Sequence, residues 1–399
     1  MTSEPPPAPP VPSVPTEGPV ARRAATEPRL AGLFVPVGSL LLFAMMVALV
    51  LSVAGKTLGY DYGCYAGAAR DLLNGQPIYH NAFTIDVPVC PGTYTYPPAF
   101  AVALIPWISL GGVATVLWCV AMAACFLAGV ALMPVRRDVR WLMVILGALN
   151  WPLLYAVKLG QVEPILLLGF AATWRWMDRA GVVGAATAVG TLMKVQPGLL
   201  AIWAVATGRF RAAVIGVSAT VALAVATAFV TGLGAWTTYV SLLSAVGGTL
   251  TASHNFAPGS VAYQAGASQS VATVVQFASM AVVAAALLVA WRFASPVASL
   301  QVTIIASQLL ASPIRDHYAV LLFLPTAWLV ARGRTWAIVF PLAGWIGLLS
   351  IGEQNAWLVA ASVPLAFFAC LAAVLVEGLV ERRRQAATPS PLGRESVPL

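Results

Sequence analysis

The chain has 399 residues, of which 60% are hydrophobic and only 9% are charged, whereas an ordinary soluble domain carries about 25% charged residues. A soluble fold this poor in charge could not cover its own surface, so the composition excludes a soluble globular protein and predicts an all-α polytopic membrane protein. The formal charge of +8 is spread over short arginine clusters, a pattern typical of loops that set membrane orientation. It does not indicate nucleic-acid binding, which requires a concentrated basic surface.

Both ends of the chain read as tails. Residues 1–30 are rich in Pro, Ala and Glu, and residues 381–399 have a similar polar character, so we predict that both are disordered. Arginines adjoin both tails, and the positive-inside rule then places both termini in the cytoplasm. Residues 31–380 form one transmembrane domain between them.

Apolar segments follow one another along this domain, and we predict about twelve transmembrane helices. The segments lie near residues 33–53, 97–110, 112–133, 141–157, 162–177, 183–195, 197–207, 212–230, 271–291, 297–311, 317–331, 335–350 and 356–378. Two cytoplasmic termini require an even number of crossings, so one of these thirteen segments is re-entrant or two form one broken helix. The short segments between residues 97 and 207 are where we expect the exception.

Two polar stretches, residues 55–98 and 232–270, fall on the outer side of the membrane in this topology. In the first, Asp61 can act as the N-cap of a helix over Tyr62–Leu73. One face of that helix is apolar, which suits a helix lying on the membrane surface. Cys64 and Cys90 lie in the same loop, and either pair as a disulfide in an oxidising compartment or remain two free thiols.

Ionisable residues inside apolar segments are functional candidates by default, because their burial in a membrane is costly. The densest cluster is Arg315-Asp316-His317, which suits anion binding or proton transfer but could be a plain polar connection. Lys194 lies within an apolar run, where it either meets an anion or extends to the interface. Gln161 and Glu163 form a similar polar break, and His254 is a candidate only through its position in the second outer loop.

Several kinds of site are missing from the sequence. It contains no phosphate-binding glycine loop, no dinucleotide fingerprint and no His/Cys zinc spacing. It also lacks the paired aspartates that would hold a divalent metal and a nucleotide-sugar diphosphate. We therefore expect no metal or other cofactor, and no cytosolic nucleotide sugar as substrate.

Five short motifs occur in order: Gly59-Tyr-Asp61-Tyr-Gly-Cys-Tyr65, Tyr94-Thr-Tyr96-Pro97-Pro98, Gly160-Gln-Val-Glu163-Pro164, Lys194-Val-Gln-Pro197 and Ser312-Pro-Ile-Arg315-Asp316-His317. Together they resemble a family of integral-membrane glycosyltransferases that take sugars from lipid phosphates. The resemblance is to its polyprenol-phosphate-mannose-dependent α-1,2-mannosyltransferases of phosphatidylinositol-mannoside synthesis. Some relatives have Asn in place of Glu163, and a Trp-Asp-His-His run in place of the residues from Arg315 to Tyr318, so the substrate contacts are open.

The resemblance implies a GT-C fold, which is a helical membrane bundle with a catalytic acid in its first outer loop. It implies an inverting transfer of mannose from polyprenyl-phosphate-mannose to a glycolipid acceptor at the periplasmic face of the plasma membrane. Asp61 would be the general base. His317 and Arg315, and then Lys194, would meet the departing phosphate. The other active-site candidates are Gln161, Glu163, Asp316, Tyr62, Tyr96 and His254. We expect a monomer among membrane lipids.

Other functions remain possible at this stage. A secondary transporter also has about twelve helices and buried charge, but it would show internal repeats, and we find none in the sequence. A flippase for lipid-linked sugars is a further alternative. Within the glycosyltransferase family, the sugar could be arabinose or glucose, and the acceptor another lipoglycan.

Overall fold

The structure is a computed structural model, and it describes residues 31–79, 94–247, 250, 255–311, 313–343 and 356–387. Within these residues the regular structure is helical, without a β-strand. The α-helices are α1 Ala31–Val53, α2 Tyr60–Leu73, α3 Pro98–Ile108, α4 Ala114–Leu132, α5 Arg137–Ala148, α6 Trp151–Leu159, α7 Glu163–Arg175, α8 Ala180–Met193, α9 Leu199–Ala206, α10 Phe210–Thr231, α11 Leu233–Gly247, α12 Pro258–Gln264, α13 Gln269–Phe293, α14 Pro296–Leu309, α15 Phe323–Val330, α16 Val339–Leu342 and α17 Ala356–Ala387. A 3₁₀ helix, Asp316–Leu322, precedes α15.

Five helices in the described part of the chain are long and apolar enough to cross a membrane. They cover Phe34–Val53, Gly111–Leu132, Phe210–Thr231, Gln269–Phe293 and Ala360–Ala387. The prediction of a polytopic, all-helical membrane protein is therefore confirmed. A sixth span is possible if α5 and α6 count as one, because they are bent by 65° at a short break. This break lies inside the predicted 141–157 segment, within the region where we expected a broken helix.

Lipid is the natural solvent for much of the surface of these helices. In the apolar window of α10 only 11% of the residues are buried inside the protein, and Phe229 at its end is 87% exposed. Soluble proteins rarely expose so much contiguous apolar surface to water. By contrast, every residue of α14 from Ala298 to Leu309 is buried, so this helix lies inside the bundle.

Helix α2 differs from its predicted form in two ways. It begins at Tyr60 after Gly59, which has a left-handed backbone, and no side chain caps it. Asp61 therefore lies in the first turn and is not the N-cap. The apolar face is also buried against protein and not free for a membrane surface, because α2 packs on α3, α4 and α6 with Tyr65 and Ala69 fully buried.

The junction between α6 and α7 is built around Gly160. Its left-handed backbone ends α6 at φ +73°, and its carbonyl oxygen accepts a 2.7 Å hydrogen bond from Nε1 of Trp118. A Cβ atom at this position would lie 2.9 Å from Trp118 and from Tyr62. The junction therefore needs glycine both for its backbone and for the space that it leaves.

We predict that Gly160→Ala lowers thermal stability more than Gly208→Ala. Gly208 has nearly the same backbone, φ +77°, but a Cβ atom added there would have no neighbour within 4 Å. Both variants carry the left-handed penalty of about 1–2 kcal/mol, and only Gly160→Ala adds overpacking, which typically costs about 1–3 kcal/mol. The melting temperatures of the two variants, measured in detergent, test this prediction. An equal drop in melting temperature for both variants would contradict the packing argument.

Candidate active site

Asp61 and Gln161 meet where α2 approaches the α6–α7 junction. Nε2 of Gln161 donates a 2.6 Å hydrogen bond to Oδ2 of Asp61. Oδ1 of Asp61 accepts no hydrogen bond from the described residues, and the side chain is partly exposed. One carboxylate oxygen of Asp61 is thus hydrogen-bonded to Gln161, and the other is available to a bound molecule.

Two tyrosines fix the orientation of the Gln161 amide. The hydroxyl groups of Tyr65 and Tyr96 each lie 3.0 Å from Oε1 of Gln161 and 2.9 Å from each other. The amide oxygen therefore faces two hydroxyl groups that can donate, and the amide nitrogen faces a carboxylate that can only accept. Tyr65 follows Asp61 by one helical turn, so both lie on the same side of α2.

Glu163 is the hub of a second, charged group of residues. Its side chain is fully buried and forms an ion pair with Lys194, whose side chain is 11% exposed. Nε2 of His317 lies 3.6 Å from the same oxygen, Oε1 of Glu163. On its other side, Nδ1 of His317 lies 3.5 Å from Oδ1 of Asp316. The imidazole therefore lies between two carboxylates.

This charged group extends to Tyr318 and Gln196. The ammonium of Lys194 lies 3.9 Å from the centre of the Tyr318 ring, a favourable cation–π distance. The hydroxyl of Tyr318 accepts a 3.4 Å hydrogen bond from Nε2 of Gln196. Lys194 is thus held both by an anion and by an aromatic face, which explains how it tolerates burial among apolar helices.

The segment that carries Arg315 and Asp316 is held by Asn255. Oδ1 of Asn255 accepts hydrogen bonds from the backbone N–H groups of Ile314 and Ala257, at 3.1 and 3.0 Å. The following 3₁₀ helix packs on α6 and α7. Arg315 and Asp316, at the start of this helix, both interact electrostatically with Tyr155 of α6, and so does Asp61 of α2.

The Asp61 and Glu163 groups act on each other electrostatically. Burial raises the pKa of Asp61 above its ordinary value, while a charged His317 and the Gln161 hydrogen bond oppose that rise. Glu163 raises the pKa of Asp61 further, and Lys194 lowers it. A carboxyl group with a raised pKa is better matched to proton transfer near neutral pH than an exposed aspartate.

Most of the candidates from the sequence come together here, namely Asp61, Gln161, Glu163, Lys194, Arg315, Asp316, His317 and Tyr96. Tyr62 lies apart from this network, because its ring packs 5.6 Å from that of Trp118 and its buried hydroxyl has no hydrogen-bond partner among the described residues. His254 and Cys90 lie outside the described residues. Cys64 is disulfide-bonded, whereas Cys119, Cys125 and Cys370 are free.

Sequence reasoning missed Tyr65, Tyr318 and Tyr155 as parts of the site. Tyr65 lies four residues after Asp61 on a predicted helix, so the spacing alone could have paired them. Tyr318 directly follows His317, but nothing in its position indicates that its ring covers Lys194. Tyr155 lies in an apolar segment and carries no signal.

The site offers no cluster of metal ligands in the part of the chain that the structure describes, since no three His, Cys, Asp or Glu side chains there could hold an ion together. The charged groups instead pair with one another and with amide and phenol groups. The described site is therefore able to accept a proton at Asp61 and to offer hydrogen-bond donors and positive charge nearby.

The fold and the site together define a polytopic membrane protein in which a partly exposed aspartate lies beside a group of paired, buried charged residues. Residues 94–313, more than half of the chain, match Glycosyltransferase family 87, and the chain belongs to this family. The matched region contains Tyr96, Gln161, Glu163 and Lys194, whereas Asp61 and His317 lie on either side of it. No curated protein and no solved structure matches the chain.

We predict that Glu163→Gln strongly destabilises the protein, because it leaves the buried Lys194 charge without its anion, which typically costs about 3–5 kcal/mol. Glu163→Gln combined with Lys194→Met should recover most of the loss, since neither charge then remains buried. Asp138→Asn is the matched control, because its ion pair with Arg136 is exposed and contributes little. Thermal unfolding in detergent measures all three. A double variant no more stable than Glu163→Gln would contradict this account.

Proposed function

We propose that this family 87 enzyme is an inverting mannosyltransferase. It moves mannose from polyprenyl-phosphate-mannose to a phosphatidylinositol-mannoside acceptor, with an α-1,2 linkage, at the periplasmic face of the plasma membrane. One observation carries the proposal: a carboxylate held by Gln161 lies beside the cationic network of His317 and Lys194. The choice of mannose and of this acceptor rests on the resemblance of the five motifs to those of the α-1,2-mannosyltransferases.

Asp61 is the proposed general base. As the acceptor hydroxyl oxygen attacks the anomeric carbon, its proton passes to the carboxylate, and the bond from that carbon to the phosphate oxygen breaks. A single in-line displacement of this kind turns a β-linked mannosyl phosphate into an α-mannoside. The oxygen Oδ1 is the available acceptor, because Oδ2 is held by Gln161.

The departing polyprenyl phosphate gains negative charge and needs donors that are already in place. His317 and Arg315 are the proposed donors. Lys194 is a weaker one, because Glu163 already neutralises its ammonium. The ion pair of Glu163 and Lys194 is neutral as a unit. Arg315, whose guanidinium stays protonated, is the proposed source of the positive charge that favours a phosphate nearby.

One apolar cavity is relevant to the lipid part of the proposed donor. An apolar cavity of about 160 Å³ lies between α7 and α8, and its lining includes Ile165, Met193 and Pro197. Ile165 follows Glu163 by two residues, and the other two flank Lys194 in the chain. We assign the first isoprene units of the donor to this cavity, because its lining is apolar.

The bonded state of Cys64 supports the proposed orientation. Disulfides persist in oxidising compartments such as the periplasm, and Cys64 lies on the same helix as Asp61, three residues further along. A GT-C fold with about twelve helices and both termini in the cytoplasm completes the proposal. The enzyme would act as a monomer, without a metal ion.

We predict that Asp61→Asn lowers turnover by about 10²–10⁴-fold, the usual contribution of a general base, while donor binding persists. Asp71→Asn, ten residues further along α2, is the control and should transfer normally. Product mass spectrometry with a synthetic polyprenyl-phosphate-mannose and a phosphatidylinositol mannoside measures both. Near-normal turnover by a folded Asp61→Asn enzyme would refute the assignment of the base.

His317→Ala should lower turnover by about 10²–10³-fold, because one donor to the leaving phosphate is lost. The same assay at saturating donor measures it, with size-exclusion chromatography as the check on folding. A folded variant with at least half the normal rate would move the role to Arg315.

Activity should survive an excess of chelator, because the proposed leaving group needs no metal and the described residues hold no ligand cluster. The measurement is transfer before and after EDTA treatment. Loss of activity that Mg²⁺ or Mn²⁺ restores would show that the mechanism uses a metal.

A further inference from the structure

We propose that Gln161 is a positioning residue for the base: clamped by Tyr65 and Tyr96, its amide holds Oδ2 of Asp61 and leaves Oδ1 to take the acceptor proton. The inference rests on the proposed role of Asp61 and adds to it the residue that sets the geometry of the carboxylate.

The clamp makes the Gln161 hydrogen bond directional. An amide can usually turn over and exchange its nitrogen and oxygen, which would put its oxygen against the carboxylate. Here both phenol hydroxyls lie 3.0 Å from Oε1 and can donate to it, so turning the amide would take Oε1 away from both hydroxyls and set it against a carboxylate that can only accept. The amide nitrogen is therefore kept against Oδ2 of Asp61.

The partners of Gln161 come from separate parts of the bundle. Tyr65 and Asp61 share α2, Gln161 follows the Gly160 turn, and Tyr96 comes just before α3. The ring of Tyr65 also contacts that of Tyr96 edge-on, with centroids 4.7 Å apart. Three segments of the chain thus converge at one amide group, and their packing fixes its position.

Other groups also face Asp61 and enter its titration. The charged groups are His317, Lys194 and Glu163. The phenols that interact electrostatically with it are those of Tyr60, Tyr65, Tyr96 and Tyr155. A hydrogen bond to the ionised carboxylate favours the charged form, so loss of the Gln161 donor raises the pKa of Asp61 while these other groups stay unchanged.

The decisive measurement needs no substrate. A protonated carboxyl group gives a C=O band in the infrared spectrum, and the band absent from Asp61→Asn belongs to Asp61. In Gln161→Met, which keeps the side-chain length but cannot donate, the titration midpoint of this band should rise by about 1–2 pH units. The acid limb of kcat/KM, measured with polyprenyl-phosphate-mannose, should move by the same amount.

Gln276→Met is the matched control. Gln276 is buried to the same degree as Gln161, 6% against 5% exposed, and it accepts a hydrogen bond from the backbone N–H of Gly259. Its loss should leave the Asp61 midpoint in place. An unmoved midpoint in Gln161→Met, or an equal shift in Gln276→Met, would overturn the inference.

The double variant Tyr65→Phe/Tyr96→Phe tests the clamp and decides the question alone if Gln161→Met does not fold. It frees the amide, so the midpoint should rise in the same direction but by less, and no change would overturn the clamp. The assignment of Asp61 as the general base is tested separately. Normal turnover by Asp61→Asn would refute it, whatever the result for the Gln161 variants. An inactive Asp61→Asn with an unmoved midpoint in Gln161→Met would refute only the positioning role.

Discussion

The ion pair between Glu163 and Lys194 is the constraint on which the site depends. Neither charge could stay ionised alone among apolar helices, because desolvation would cost several kcal/mol. Together they fix the start of α7 against the end of α8, and they place a carboxylate 3.6 Å from the ring of His317. Such a pair contributes more to geometry than to net stability. It also fixes the surroundings of the His317 ring, which is itself buried.

The turn from Gly160 to Glu163 joins the two halves of the site. Gln161 faces α2 and holds Asp61, whereas Glu163, two residues later, faces the bundle and contacts Lys194 and His317. One tight turn between two short helices thus separates the proposed proton acceptor from the proposed phosphate-binding group. Both groups remain close enough to act on each other, as the electrostatic effect of His317 on Asp61 indicates.

The sequence predicts the class of fold and most members of the site, for a physical reason. Charge is so rare in the apolar segments that each ionisable residue stands out, and this identifies Asp61, Glu163, Lys194 and His317. It cannot show that Gln161 meets Asp61, since the two are 100 residues apart and only helix packing joins them. The prediction that the apolar face of α2 lies on the membrane surface was wrong for a similar reason. An apolar face has the same sequence period whether it meets lipid or protein. Tyr155 could not be found because a tyrosine in an apolar span is ordinary.

The backbone contact between α2 and α6 affects how enzymes of this kind can diverge. The N–H of Gly59 donates a 2.8 Å hydrogen bond to the carbonyl oxygen of Lys158, so two residues before the aspartate the chain is joined to a point three residues before its glutamine partner. Both the donor and the acceptor of this bond are backbone groups, so the bond itself does not depend on the side chain of Lys158. Inserting or deleting one residue between the bond and Asp61 would move that residue along α2 by about 1.5 Å and rotate it by about 100°. A change of length between the bond and Gln161 would likewise alter the turn that carries the amide, so the length of both segments is constrained.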